Sequence, residues 1–142
     1  MAGVLTAISM WAAPGSGHEH ATGVVKERMD MMEAMAKSMK VITDRIKNKR
    51  DLAAVKTEAE AIAEHAPHMT HLFPPGSRQP PTDARATIWQ SWPDFEGKAR
   101  ALEIESAKLA KMDLGNFAAV SAQVEAVSRS CTACHAKYRV KK

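Results

Sequence analysis

The chain has 142 residues, 45% of them hydrophobic and 25% charged, with a formal net charge of +4. That length and balance fit one ordinary globular domain and leave no need for a second. The basic residues alternate with Asp and Glu along the periodic segments, as on a solvated surface, so no nucleic-acid partner is expected.

Residues 1–17, MAGVLTAISMWAAPGSG, carry no charge and open on an apolar run from Ala2 to Ala13 broken only by Thr6 and Ser9. The run resembles the hydrophobic region of an export signal and falls short of the about 20 apolar residues a spanning helix needs. The Lys or Arg that normally precedes such a run is missing, so an upstream start and a plain unstructured leader are the competing readings. The remaining residues, 18–142, are expected to form a single domain without stable membrane insertion.

Ala, Lys, Glu and Met dominate the periodic segments, while Phe and Tyr are sparse, so propensity points to helix throughout. From Val24 to about Lys47, apolar side chains recur every three or four residues: Val25, Met29, Met32, Met35, Met39, Ile42 and Ile46. Asp51 can cap a second helix that turns Leu52, Val55, Ala59 and Ile62 inward, and Pro67 should break or kink it. The segment from Phe73 to Asp83 holds Pro74, Pro75, Gly76, Pro80 and Pro81, which dictates a stiff irregular connection. A short turn through Ile88 and Trp89 follows, and a third helix is predicted from Trp92–Pro93, with Phe95, Ala99, Leu102, Ser106 and Leu109 on one face. Asp113–Asn116 interrupts it, with Gly115 expected as a C-cap and Asn116 as the next N-cap. A fourth helix runs to about Arg139. Four amphipathic helices with short joints and one long proline-rich one make an all-α antiparallel four-helix bundle.

The strongest chemical signal is Cys131-Thr132-Ala133-Cys134-His135, a C-x-x-C-H sequence. Two thiols three apart can form thioethers with the two vinyl groups of one haem, and the adjacent imidazole can ligate its iron. A redox dithiol would instead open a helix after a buried strand, where the helix terminus lowers the thiol pKa. Here Phe117, Val120, Val124, Val127, Cys131, Cys134 and Tyr138 step by three or four, so the cysteines prolong an apolar helical stripe. A zinc site needs more ligands than this one turn supplies. His65, His68 and His71 are spaced by three, but Pro67 interrupts the series and convergence on one ion is not expected.

Only seven residues follow His135, so a second axial iron ligand must come from upstream. The first helix offers Met29, Met31, Met32, Met35 and Met39, most of which serve as core filler. Met32 stands one turn after Arg28, so the pair can present a thioether to iron and a guanidinium to a haem propionate. Arg139, four residues after His135, either lies over the haem and favours reduced iron or belongs to a solvated helix end.

With these residues in view, the sequence resembles the cytochrome c′ family, including its low-spin methionine-ligated relatives, from about Val24 onward. The resemblance rests on Cys131 through Arg139, on Arg28 with Met32, on Leu72-Phe73-Pro74-Pro75-Gly76-Ser77, and on Ile88-Trp89 followed by Phe95. It implies the up-down-up-down topology known for that family, one covalently attached c-type haem, a periplasmic location, and a homodimer interface through the first two helices. Its members divide into electron carriers with a distal methionine on iron and five-coordinate proteins that bind nitric oxide or carbon monoxide. Electron transfer to a redox partner protein is the leading expectation, and binding of a small diatomic gas the alternative. No nucleophile, base and orienting group can be assembled from the sequence, so an enzyme is not expected.

Overall fold

A computed structural model describes residues 20–141. Its long helices are α1 (Gly23–Asn48), α2 (Leu52–His68), α4 (Trp92–Lys111) and α5 (Phe117–Tyr138), and a single-turn helix, α3 (Thr87–Gln90), precedes α4. The four long helices form the expected all-α four-helix bundle. Among the described residues the only β pairing is an isolated antiparallel bridge between Ala84 and Arg139. No described helix is long and apolar enough to cross a membrane. The apolar leader lies outside the described residues.

α2 and α4 form the most intimate pair. Val55, Ala59, Ile62 and Ala66 from one helix and Phe95, Ala99, Leu102 and Leu109 from the other are all buried. The alanines let the backbones approach while the larger side chains interlock, which is how periodic burial becomes helix pairing. Val120, Val124 and Val127 bring α5 onto the same core, and Met35 and Ile42 bring α1. Gln123, buried on α5, donates to the carbonyl of Glu105 at 3.0 Å and to its carboxylate at 2.6 Å, fixing the rotation of α5 against α4.

Three local expectations are corrected. Asp51 occupies the N-cap position of α2 in a left-handed conformation, φ 46°, and its side chain caps no helical N–H. It pairs with Arg45 at 3.3 Å instead, drawn in by the left-handed Lys49 that ends α1. Pro67 does not end α2, which reaches His68 before tightening into a 3-10 turn at Met69–Leu72. Gly115 is no C-cap: α4 stops at Lys111, Met112 is extended, and the Gly115 N–H donates to the Asp113 carboxylate at 3.0 Å. The Asn116 cap does form, its side chain accepting from the Ala119 N–H at 3.1 Å.

The proline-rich connection is ordered by its own chemistry. Pro74-Pro75-Gly76-Ser77 closes a turn through a 3.2 Å bond from the Ser77 N–H to the Pro74 carbonyl, with Gly76 at φ 83°. Proline before glycine suits this turn because the third position needs positive φ. The Trp89 indole N–H anchors the loop by donating to the carbonyls of Phe73, at 2.9 Å, and Pro74, at 3.2 Å. The Pro80–Pro81 peptide is cis.

Candidate functional site

α1 and α5 scarcely touch one another, unlike the other adjacent pairs of long helices. Between them lies a cavity of about 480 Å³, within the roughly 300–1,000 Å³ range of cofactor sites. α1 contributes Arg28, Met29, Met32, Glu33 and Ala36 to its lining, and α5 contributes Cys134, His135 and Tyr138, with Arg139 just beyond. Phe73, Ile88, Phe95 and the Pro80–Ala84 stretch close its sides.

Five of the six residues singled out from the sequence thus meet around one space: Arg28, Met32, Cys134, His135 and Arg139. Cys131 lies one turn earlier on α5, partly buried against the core and outside that lining. Of the five methionines on α1, the cavity selects Met29 and Met32, while Met35 is buried in the core and Met31 and Met39 pack against it. The signal for Met29 was present, since it shares a face with Met32 and Ala36 at helical spacing. His68 and His71 hold their rings 6.3 Å apart at the far end of α2, and no group of three His, Cys, Asp or Glu among the described residues could hold a metal.

The electrostatics favour a ligand site over a reactive dithiol. Burial pushes the Cys131 thiol pKa up and that of Cys134 to about 11, opposite to the depressed values of redox thiols. Burial, helped by the positive charge of Arg139, holds His135 below its ordinary pKa. Neutral imidazole is the iron-binding form, so the site presents the competent species at neutral pH.

Arg28 is 3% exposed although charged. Its guanidinium donates to the Ser77 carbonyl, to the Ser77 hydroxyl at 3.3 Å and to the Leu72 carbonyl at 3.5 Å, and it stacks 4.7 Å over the Phe73 ring. Its first duty is therefore to clamp the Leu72–Ser77 loop to α1, which periodicity could not have disclosed. Its Nε is buried without a partner, and burial lowers its pKa. A buried donor left unpaired beside a cavity costs free energy that an acceptor within the cavity would recover.

Arg139 is solvent-exposed, but the helix end that carries it is tied down. The Arg139 side chain pairs with Asp83 at 3.5 Å, while the Arg85 N–H donates to the Tyr138 carbonyl at 2.9 Å and the Val140 N–H to the Asp83 carbonyl at 2.8 Å. These bonds hold the turn bearing His135 against the segment before α3. Tyr138 is buried, with its ring edge-on to Phe95 at 5.3 Å.

An apolar slot between separated helices, the Cys134 thiol and an imidazole along one wall, and an orphaned guanidinium N–H at the other suit a porphyrin bearing carboxylates. Cys131 and Cys134 have the spacing that would anchor it, and His135, on the cavity lining, would supply an imidazole ligand. Bound there, haem supplies a one-electron iron couple.

Comparison with known proteins agrees with this geometry. The family model for cytochrome c′ matches residues 23–139. Cytochrome c-556 of Agrobacterium tumefaciens (strain II Chrys) is 33% identical over 122 residues, which cover 84% of this chain and 99% of that protein. A solved cytochrome c′ described as having an unusual ligand-controlled dimer dissociation is 27% identical, with a TM-score of 0.76 over 91% of this chain and 100% of its own. The nitric oxide complex of a point mutant of cytochrome c prime from Alcaligenes xylosoxidans is 30% identical, with a TM-score of 0.74 over 84% and 94% of the two chains. Cavity, motif and relatives converge: the chain belongs to the cytochrome c′ family, whose members bind a c-type haem.

Proposed function

We propose that this protein is a periplasmic electron carrier, with haem attached through Cys131 and Cys134, His135 as one axial ligand and Met32 as the other. The observation that carries the reading is the placement of Met32 and His135 on facing walls of one cavity. A thioether favours reduced iron, and ligands on both faces let the metal change oxidation state with little rearrangement. Arg28, with its unpartnered Nε, is positioned to meet a propionate, and Arg139 adds positive charge on the His135 side. The roles are those of a carrier and not of an enzyme.

A second reading is gas binding. Met29 and Met32 both line the cavity, and a thioether that packs beside iron without bonding leaves a position for nitric oxide or carbon monoxide. The nitric oxide complex of the Alcaligenes relative favours keeping this alternative, with a protective role. The optical spectrum of the oxidised protein decides between them: a low-spin spectrum with a weak charge-transfer band at the red edge, lost in Met32→Ala, supports the carrier. A high-spin spectrum with rapid gas binding, unchanged by that substitution, overturns it.

Removal of residues 1–17 on export belongs to the same reading, and an intact Met1 on haem-loaded protein would contradict it. Homodimerisation through α1 and α2 is the expected assembly. Sedimentation velocity of the haem-loaded protein tests it, and a monomer at all concentrations would contradict it.

A further inference from the structure

The last turn of α5 is held from a second side by a group outside the cavity lining. Asp94, in the first turn of α4, accepts from the Tyr138 hydroxyl at 2.5 Å and from the Lys137 ammonium at 2.9 Å, and Lys98 lies 4.0 Å from its other oxygen. The Tyr138 hydroxyl also lies 3.4 Å from the Ser91 carbonyl. Tyr138 stands one turn after Cys134 and His135 and itself lines the cavity. The carboxylate therefore fixes the one aromatic side chain of α5 that adjoins both the covalent anchor and the ligand. Asp94 and its neighbour Lys98 therefore stand behind the turn that carries Cys134 and His135, separated from the cavity by the Tyr138 side chain.

We propose that Asp94 and Tyr138 form a positioning clamp on the His135 side of the haem, and that the opposed charges of Asp94 and Lys98 set its reduction potential. Two physical effects are separable. The Tyr138–Asp94 bond fixes where the last turn of α5 places the imidazole, and ligand geometry is sensitive to shifts of about half an ångström. The carboxylate charge favours the oxidised, more positive iron, whereas the Lys98 ammonium favours the reduced iron. Neither role depends on whether Met32 bonds the metal. Both rest on His135 as a ligand.

The test uses haem-loaded protein from a host that exports and matures c-type cytochromes. Asp94→Asn keeps an acceptor for Tyr138 but removes the charge, and should raise the equilibrium constant for reduction about fivefold in a spectroelectrochemical titration. Lys98→Gln should move it in the opposite direction, and carries the same test should the Asp94 variant fail to mature. Tyr138→Phe keeps the ring and the charges but breaks the bond, and should alter the paramagnetic resonance spectrum of the oxidised iron while helix content stays constant. Combined with Asp94→Ala it should add nothing to that change. Shifts of less than about twofold, shifts of the same sign for Asp94→Asn and Lys98→Gln, or an iron spectrum indifferent to Tyr138→Phe would overturn the proposal. His135→Ala separates the two levels. An unchanged spectrum there removes the ligand and the clamp together, whereas a spectrum that depends on His135 but is indifferent to Tyr138→Phe removes the clamp alone, and unshifted potentials remove the role of the charges.

Discussion

The α2–α4 interface and the α1–α5 interface are built from the same periodic pattern, yet one is filled by side chains and the other holds a cavity. Across the first, alanines and branched aliphatics are buried and complementary. Across the second stand methionines, half-buried cysteines and a histidine on the cavity lining. An amphipathic stripe therefore says that a helix face will be covered without saying by what. Chemistry separates the two cases: groups able to bond a cofactor collect where side chains do not meet.

The sharpest way to break the contrast is on the cavity side. Replacing Cys131 and Cys134 together by Ala should abolish covalent attachment, read as haem lost to acidified organic solvent and an unmodified polypeptide mass. Either cysteine alone should leave a single thioether.

On the packed side, Ile62→Ala, at a fully buried position, should cost about 2–5 kcal/mol in denaturant unfolding of the holoprotein. Its haem spectrum should stay unchanged. Met32→Ala should show the converse, a smaller stability loss because Met32 is only partly buried, together with an altered iron spectrum. Equal spectral effects from the two would dissolve the distinction between the interfaces.

Arg28 joins the two regions, since its backbone packs in the bundle while its guanidinium holds the loop at the cavity edge. Arg28→Met should cost about 1.5–3 kcal/mol, the range for a hydrogen bond to a charged group, and Ser77→Ala less, because the Ser77 carbonyl acceptor survives. Urea unfolding measures both, and a neutral Arg28→Met would show that the loop stands without its clamp.

The smallest expected effect is a pH dependence. The hydrogen bond from Tyr138, then that from Lys137, lowers the Asp94 pKa. A carboxylate depressed in the folded state adds stability that is present above its ordinary value and lost as pH falls through the lower folded one. In Tyr138→Phe the acid limb of a Tm–pH profile should therefore be shallower than in the parent protein, and identical limbs would remove Tyr138 as the cause.

The four long helices, the breaks between them and the attachment sequence were legible because each is local: period, proline, glycine and C-x-x-C-H are read within a few residues. The partners of Arg28 were not legible. They are carbonyls and a hydroxyl of a loop about fifty residues away, placed by a turn rather than by any periodicity. The Ala84–Arg139 bridge and the Asp94–Tyr138 bond escaped for the same reason, being pairings between segments whose individual sequences carry no mark of one another. Asp51 misled because a residue suited to capping was claimed by Arg45 across a tight turn.

The cavity separates the first helix of the described bundle from the last, so a molecule filling it joins regions that are distant along the chain and only weakly held to each other by protein contacts. Haem would then act as a cross-link as well as a redox centre. With iron bonded at both Met32 and His135, the closed loop would span about a hundred residues, a constraint that in the chain-entropy picture disfavours the unfolded ensemble by about 4–5 kcal/mol. Ligand exchange at iron would release that constraint, so the coordination state of the metal and the docking of α1 would be read out together, as a change in how tightly the two ends of the fold are tied.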